Sequence, residues 1–184
     1  MASSRDLIQK APEPATDVGR FLAKRGRLLM KERRDFRKMK CDYDTTLKIS
    51  TLILSTTQSR TADRSFGVKL EHENRDGYFE SCFLDFDEIL ELLGAIKYIF
   101  NVAKEIRGQS RDYTEFEYRT KEAMRVGFFQ SSPDDQQAFV DVAPGGDINF
   151  VSFEQLRDLF NTLKEAREHL IQCGAGAEDN ATCE

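Results

Sequence analysis

The chain has 184 residues, 40% hydrophobic and 32% charged, with a formal net charge of −5. That length suits one domain or two small ones packed closely, and the composition excludes a disordered chain. No run nears the roughly 18 apolar residues that a membrane helix needs, and fourteen Phe without Trp predict a phenylalanine-rich core.

Residues 1–19, with Pro12 and Pro14, read as a flexible leader that lacks the apolar stretch of a secretory signal, so a cytoplasmic location is expected. Residues 20–40 carry Arg20, Lys24, Arg25, Arg27, Lys31, Arg33, Arg34, Arg37, Lys38 and Lys40 against Glu32 and Asp35, a net of +8. Residues 41–184 sum to −12. The basic segment suits a helix or an additional hairpin over 27–41, and strands are preferred. It can contact nucleic acid through its cations, or it can serve as a charged edge that blocks edge-to-edge association.

Period-two alternation predicts strands at 48–54, 66–70 and 78–84, the last two joined by a turn at Asn74-Arg75-Asp76-Gly77. The third strand runs directly into a helix. Asp85 is its N-cap and Glu88 completes a capping box, while Leu84 and Ile89 have the spacing of a hydrophobic staple. Ile89, Leu92, Leu93, Ile96, Ile99, Phe100 and Ala103 mark one apolar helical face.

The second half repeats this plan. Strands are predicted at 114–119 and 124–129 across Thr120-Lys121-Glu122-Ala123, then at 138–142 and 148–151 across Pro144-Gly145-Gly146-Asp147. Ser152 and Gln155 form the matching capping box, and Val151 and Leu156 the matching staple. Leu156, Leu159, Phe160, Leu163, Ala166 and Leu170 continue the helix, and Gly174 is its stop. Without gaps, residues 83–99 lie over 150–166 at an offset of 67, pairing Phe83 with Phe150, Phe86 with Phe153, Leu92 with Leu159 and Lys97 with Lys164.

These observations predict an α+β protein of two tandem antiparallel strand-meander-plus-helix repeats, over 20–108 and 109–173, forming one pseudo-two-fold unit. Residues 174–184 read as a disordered tail, in which the sequon at Asn180 is accidental without a secretion signal.

The chemical inventory points away from catalysis. Nucleotide-binding loops, the GxSxG elbow and HExxH are absent from the sequence. His72 lies on a strand between Glu71 and Glu73 and is expected to face solvent. His169 sits in the last turn of a helix, where a cation suits the dipole. Cys41, Cys82, Cys173 and Cys183 are too scattered for a zinc site and read as reduced thiols. Asp85 and Asp87 read as first-turn carboxylates, and Asp42, Asp44, Asp134 and Asp135 as solvated loop residues. Neither a catalytic residue, a metal nor a cofactor is expected. Phe116 and Tyr118 could stack bases on a sheet, but core burial is the preferred reading.

The order of elements, together with Gly146-Asp-Ile-Asn-Phe-Val-Ser-Phe-Glu-Gln-Leu-Arg-Asp-Leu159, resembles the Whirly/Pur-alpha group of single-stranded nucleic-acid-binding folds over residues 45–170. The resemblance implies the fold. The group binds through basic, aromatic-rich sheet faces, whereas only Lys48, Lys69, Arg119, Lys121 and Arg125 lie on or beside the predicted strands here. The expected function is therefore a non-enzymatic interaction or scaffold protein with a protein partner or homo-oligomeric state and no membrane contact. The alternative is a single-stranded nucleic-acid-binding module using residues 20–40. A small apolar ligand between the halves is a third possibility.

Overall fold

In the computed structural model, which describes residues 13–42, 45–56, 63–73, 77–145 and 148–177, both capping boxes form at the expected residues. Helix α2 (Phe86–Ile106) opens on Asp85, and α3 (Phe153–Gln172) opens on Ser152. Ser152 accepts from the Gln155 N–H at 3.1 Å, while Gln155 accepts from the Ser152 N–H at 2.6 Å. Such caps contribute about 1 kcal/mol each. The staple residues Leu84, Ile89, Val151 and Leu156 are all fully buried.

Each helix closes a run of antiparallel strands. The first sheet is built from β1 (Leu29–Asp35), β2 (Met39–Lys40), β3 (Thr46–Thr56), β4 (Arg64–Glu73) and β5 (Phe79–Asp85), in the order β1-β3-β4-β5 with β2 also paired to β3. The second is β6 (Thr114–Arg119), β7 (Arg125–Ser132), β8 (Asp135–Asp141) and β9 (Asn149–Val151), in chain order. The chain is thus α+β, with two strand-plus-helix units. The inner faces of both sheets and the apolar faces of α2 and α3 form one continuous core, including Leu47, Ile49, Leu70, Leu84, Val126, Phe128 and Val140. Removing this apolar area from water is the main stabilising term, at about 25 cal/mol per Å².

The turn at 120–123 forms, with Ala123 at φ 62 and the Thr120 N–H bonded to the Met124 carbonyl at 3.0 Å. Helix α3 ends as expected at Gly174, whose φ is 99. Gly174 N–H bonds the Ile171 carbonyl and Ala175 N–H bonds the Leu170 carbonyl, both at 2.9 Å, the paired bonds of a Schellman motif. Ala175 is buried, so the ordered chain continues past the point where a tail was expected. The sequon, Cys183 and most of the turn at 74–77 lie outside the described residues, as do Asp44 and the second half of the turn at 144–147.

Four expectations change. The leader is ordered before residue 19, because α1 (Asp17–Ala23) is capped by Thr16 and buries Val18 and Phe21. The basic segment is strand over 29–35 and 39–40 but helix over 20–23. Its two strands do not form a hairpin with each other; both pair with β3 as one edge interrupted at Phe36-Arg37-Lys38. His72 is 1% exposed. It shares the parity of Leu70 along β4 and opposes Leu47, so the ring enters the core side while Glu71 and Glu73 take the outer side.

Candidate binding face

The face of the first sheet turned away from α2 and α3 is defined by register. Lys31 opposes Leu54, Arg33 opposes Leu52, Ser50 opposes Lys69, Lys48 opposes Glu71 and Lys40 opposes Thr46. Directly opposed residues point to the same side, so one outer face carries Lys31, Arg33, Lys40, Lys48 and Lys69. Lys38, in the break between β1 and β2, lies beside Lys48, Arg33 and Asp35 in a cleft of about 190 Å³.

The carboxylates on this face are held by its cations. Glu71 bonds Lys69 at 2.7 Å and Arg33 at 3.1 Å, Glu73 bonds Lys48 at 2.5 Å, and Asp35 bonds Arg33 at 2.5 Å. Burial pulls the Glu71 carboxylate up, but the Lys69 hydrogen bond and the Lys69, Arg33 and Lys48 charges outweigh it and leave it below the ordinary value of 4.5. The Lys48 hydrogen bond does the same for Glu73. Among the described residues, no carboxylate lies within ion-pair distance of Lys31, Lys38 or Lys40. On the part of the face that α1 leaves open, six cations against three anions leave a positive surface on an acidic protein.

Phe79 supplies an aromatic surface at one corner. It opposes Glu73 on the edge strand β5, is 59% exposed, and has the Lys48 ammonium 4.8 Å from its ring centroid. The other end of the face is covered by α1. Val18 and Phe21 pack there on Leu52 and Leu54, with Phe83 and Leu29 alongside. The approach depends on Gly67, since a Cβ at that position would meet Val18 Cγ2 at 2.5 Å and collide with the Leu84 carbonyl.

The expected contact residues therefore divide. Lys31, Arg33, Lys38 and Lys40 join Lys48 and Lys69. Arg20 is held by Asp17 and by the Pro14 and Ala15 carbonyls, and Lys24 and Arg27 are held by Asp63, around α1. Arg25 is exposed in the following loop, and Arg37 in the β1–β2 break. Arg34 turns to the inner side, where it lies over the Phe36 ring at 5.3 Å. A cleft of about 670 Å³ adjoins α1. It sets Arg20, Lys24 and Arg64 against Asp17, Asp63, Asp85 and Asp87, so it holds no excess of positive charge.

The outer face of the second sheet has a different chemistry. Arg125 bonds Asp141 at 2.7 Å and Glu117 at 3.3 Å, and Arg119 also bonds Glu117 at 2.5 Å, so these cations are taken. Lys121 is drawn into Asp85 and Asp87 at 3.1 and 3.2 Å. Tyr113 stacks on Phe129 with centroids 5.9 Å apart, and Phe129 meets Phe150 edge-on at 6.2 Å. Through the matched ladders Phe129 corresponds to Leu52 and Phe150 to Phe83. The apolar patch that α1 covers on the first sheet thus has an aromatic counterpart on the second. Phe116 and Tyr118 face inward against the core, as preferred from their alternation.

Sequence reading missed Phe79, Tyr113, Phe129 and Phe150 as outer-face aromatics. The signal was their parity with Lys48, Lys69 and Arg125, which becomes readable only once the register is known. Among the described residues no cluster of metal-ligating side chains occurs, and no helix is long and apolar enough to cross a membrane. Compared with known proteins, the chain matches no family model and no curated protein sequence.

Proposed function

We propose that the protein is a non-enzymatic binding protein that holds a single-stranded nucleic acid across the outer face of its first sheet. The observation that carries this reading is the convergence of Lys31, Arg33, Lys40, Lys48 and Lys69 beside the exposed Phe79. Cations spaced along a sheet replace the counterions of a phosphate backbone. An exposed ring offers a stacking surface to any base, at about 1–3 kcal/mol. The resemblance to Pur-type folds agrees with this use of a sheet face. The protein acts in the cytoplasm, where the buried Cys41 and Cys82 remain reduced. Titration of a labelled single strand at low salt tests the reading; saturable binding supports it, and no change in anisotropy removes it.

The second sheet favours a second reading, association with another copy of the chain. Tyr113 is 60% exposed above Phe129 and Phe150. On the neighbouring edge strand β6, Glu115 and Glu117 precede Arg119, a pattern that pairs opposite charges when two copies meet antiparallel about a two-fold. Light scattering of the purified chain distinguishes a dimer, which Tyr113→Ala disperses, from a monomer, which ends this reading.

A further inference from the structure

The C-terminal turn of α3 brings a thiol, an imidazole and a hydroxyl together on the side of the molecule away from the basic face. The Schellman motif fixes Cys173 as the C-cap residue of α3, half-buried. Its Sγ lies 3.6 Å from His169 Nε2. The other ring nitrogen, Nδ1, lies 3.2 Å from Thr51 Oγ1 on the inner face of β3, where Thr51 is fully buried. Phe36 packs edge-on against the imidazole at 6.3 Å. A cleft of about 150 Å³ opens over the group, lined also by Glu32, Arg33, Arg34 and Ile53.

Burial first, and then the Arg34 charge, lower the His169 pKa below its ordinary value of 6.5, so the ring is neutral at neutral pH. A neutral ring whose Nδ1–H donates to Thr51 presents Nε2 as an acceptor to the Cys173 thiol. A nucleophile, a base and a group that orients the base are the parts that activate a thiol. The remaining described thiols lack this setting: burial raises Cys41 to about 11, and Cys82 is pushed up further.

We propose that Cys173 is a thiol–disulfide exchange site that accepts small disulfides bearing carboxylates. The thiol proton passes to His169 Nε2, and the thiolate attacks one sulfur of the disulfide R–S–S–R. A Cys173–S–S–R bond forms, the original S–S bond breaks, and the leaving thiolate takes the proton from His169 to depart as R–SH. Cys173 is oxidised to the mixed disulfide while the departing sulfur is reduced, and no further reactant is needed. Arg34, on the inner side of β1, lines the cleft where the carboxylate of R would lie.

The test uses the full chain carrying Cys183→Ser, with the dianionic disulfide dithiobis(nitrobenzoate) as probe and release of thionitrobenzoate as readout. One equivalent should react at neutral pH about tenfold faster than an unstructured cysteine, and mass spectrometry should place the adduct on Cys173. His169→Asn should bring the rate down to that of the unstructured thiol. Thr51→Val, which preserves the packing shape, should slow the reaction in the same direction. Arg34→Gln should slow this probe and leave the neutral dithiodipyridine unaffected. A Cys173 rate equal to that of the unfolded chain, or one unchanged in folded His169→Asn or Thr51→Val, overturns the proposal. Equal effects of Arg34→Gln on both probes overturn the carboxylate preference.

Discussion

Glu88 accepts a hydrogen bond of 2.5 Å from the backbone N–H of Lys121, so the third residue of α2 reaches out of its own repeat into the turn of the other. Gln155, the same position of α3, donates to the Lys40 carbonyl at 2.8 Å, again across the repeats. The two capping boxes therefore do more than start helices. Each also ties its helix to the first connection of the opposite sheet, which gives the pseudo-two-fold unit a reciprocal polar seam.

This seam predicts a pH signature. Burial raises the Glu88 pKa above 4.5, with the Asp85 charge adding to it and the Lys121 and Asp85 N–H bonds opposing it. A carboxyl with a raised folded pKa contributes stability below its unfolded pKa and loses that contribution as pH rises through the folded value. Denaturant titrations of the wild type across the range above pH 4.5 should show this decline. Glu88→Gln, which keeps the acceptor for Lys121, should flatten it; Glu88→Ala should cost about 1–3 kcal/mol by orphaning the Lys121 N–H.

Helix α1 is held by two anchors. Asp85 accepts from the Asp17 and Val18 N–H groups at 2.9 and 3.0 Å, and Val18 rests on Gly67. Gly67→Ala should destabilise the protein by about 1–3 kcal/mol through overpacking. Phe21→Ala should release α1 and loosen the already largely exposed 24–28 segment, read as faster cleavage there by a basic-specific protease.

Glu71 restrains the basic face by engaging Lys69 and Arg33. Glu71→Gln should free Lys69, leave Arg33 paired with Asp35 alone, and tighten single-strand binding by several-fold at low salt, with a steeper salt dependence. Because Glu71 is held below the ordinary carboxylate range, its pairing supports stability above pH 4.5 and fades as pH falls through the lowered value. In Glu71→Gln, denaturant titrations in acid should show that loss of stability reduced.

The strand-to-helix junctions were legible because caps and staples are local: Asp85, Glu88, Leu84 and Ile89 lie within six residues of one another. The two-fold plan followed from their repetition at Ser152. Helix α1 was not legible, since its docking depends on Gly67 and Asp85, some 50–70 residues away. His72 was misplaced because its acidic neighbours were weighed and its parity with Leu70 was not. Lys48 and Lys69 were noted individually, but that they share a face with Lys31 and Arg33 is a fact of strand pairing. Cys173 and His169 are one helical turn apart in sequence, yet Thr51 joins them only through the fold.

The most direct test of the basic face is a salt titration of labelled single-strand binding by the wild type and by Lys48→Gln/Lys69→Gln. A net of three charges predicts a slope of log affinity on log salt of about −2, and removing two lysines should make it shallower by about 1.4. The double variant should bind about tenfold more weakly at low salt, with its far-ultraviolet spectrum unchanged, while Arg119→Gln on the second sheet behaves as wild type. Equal affinity and slope for the folded double variant and the wild type would contradict the assignment of this face.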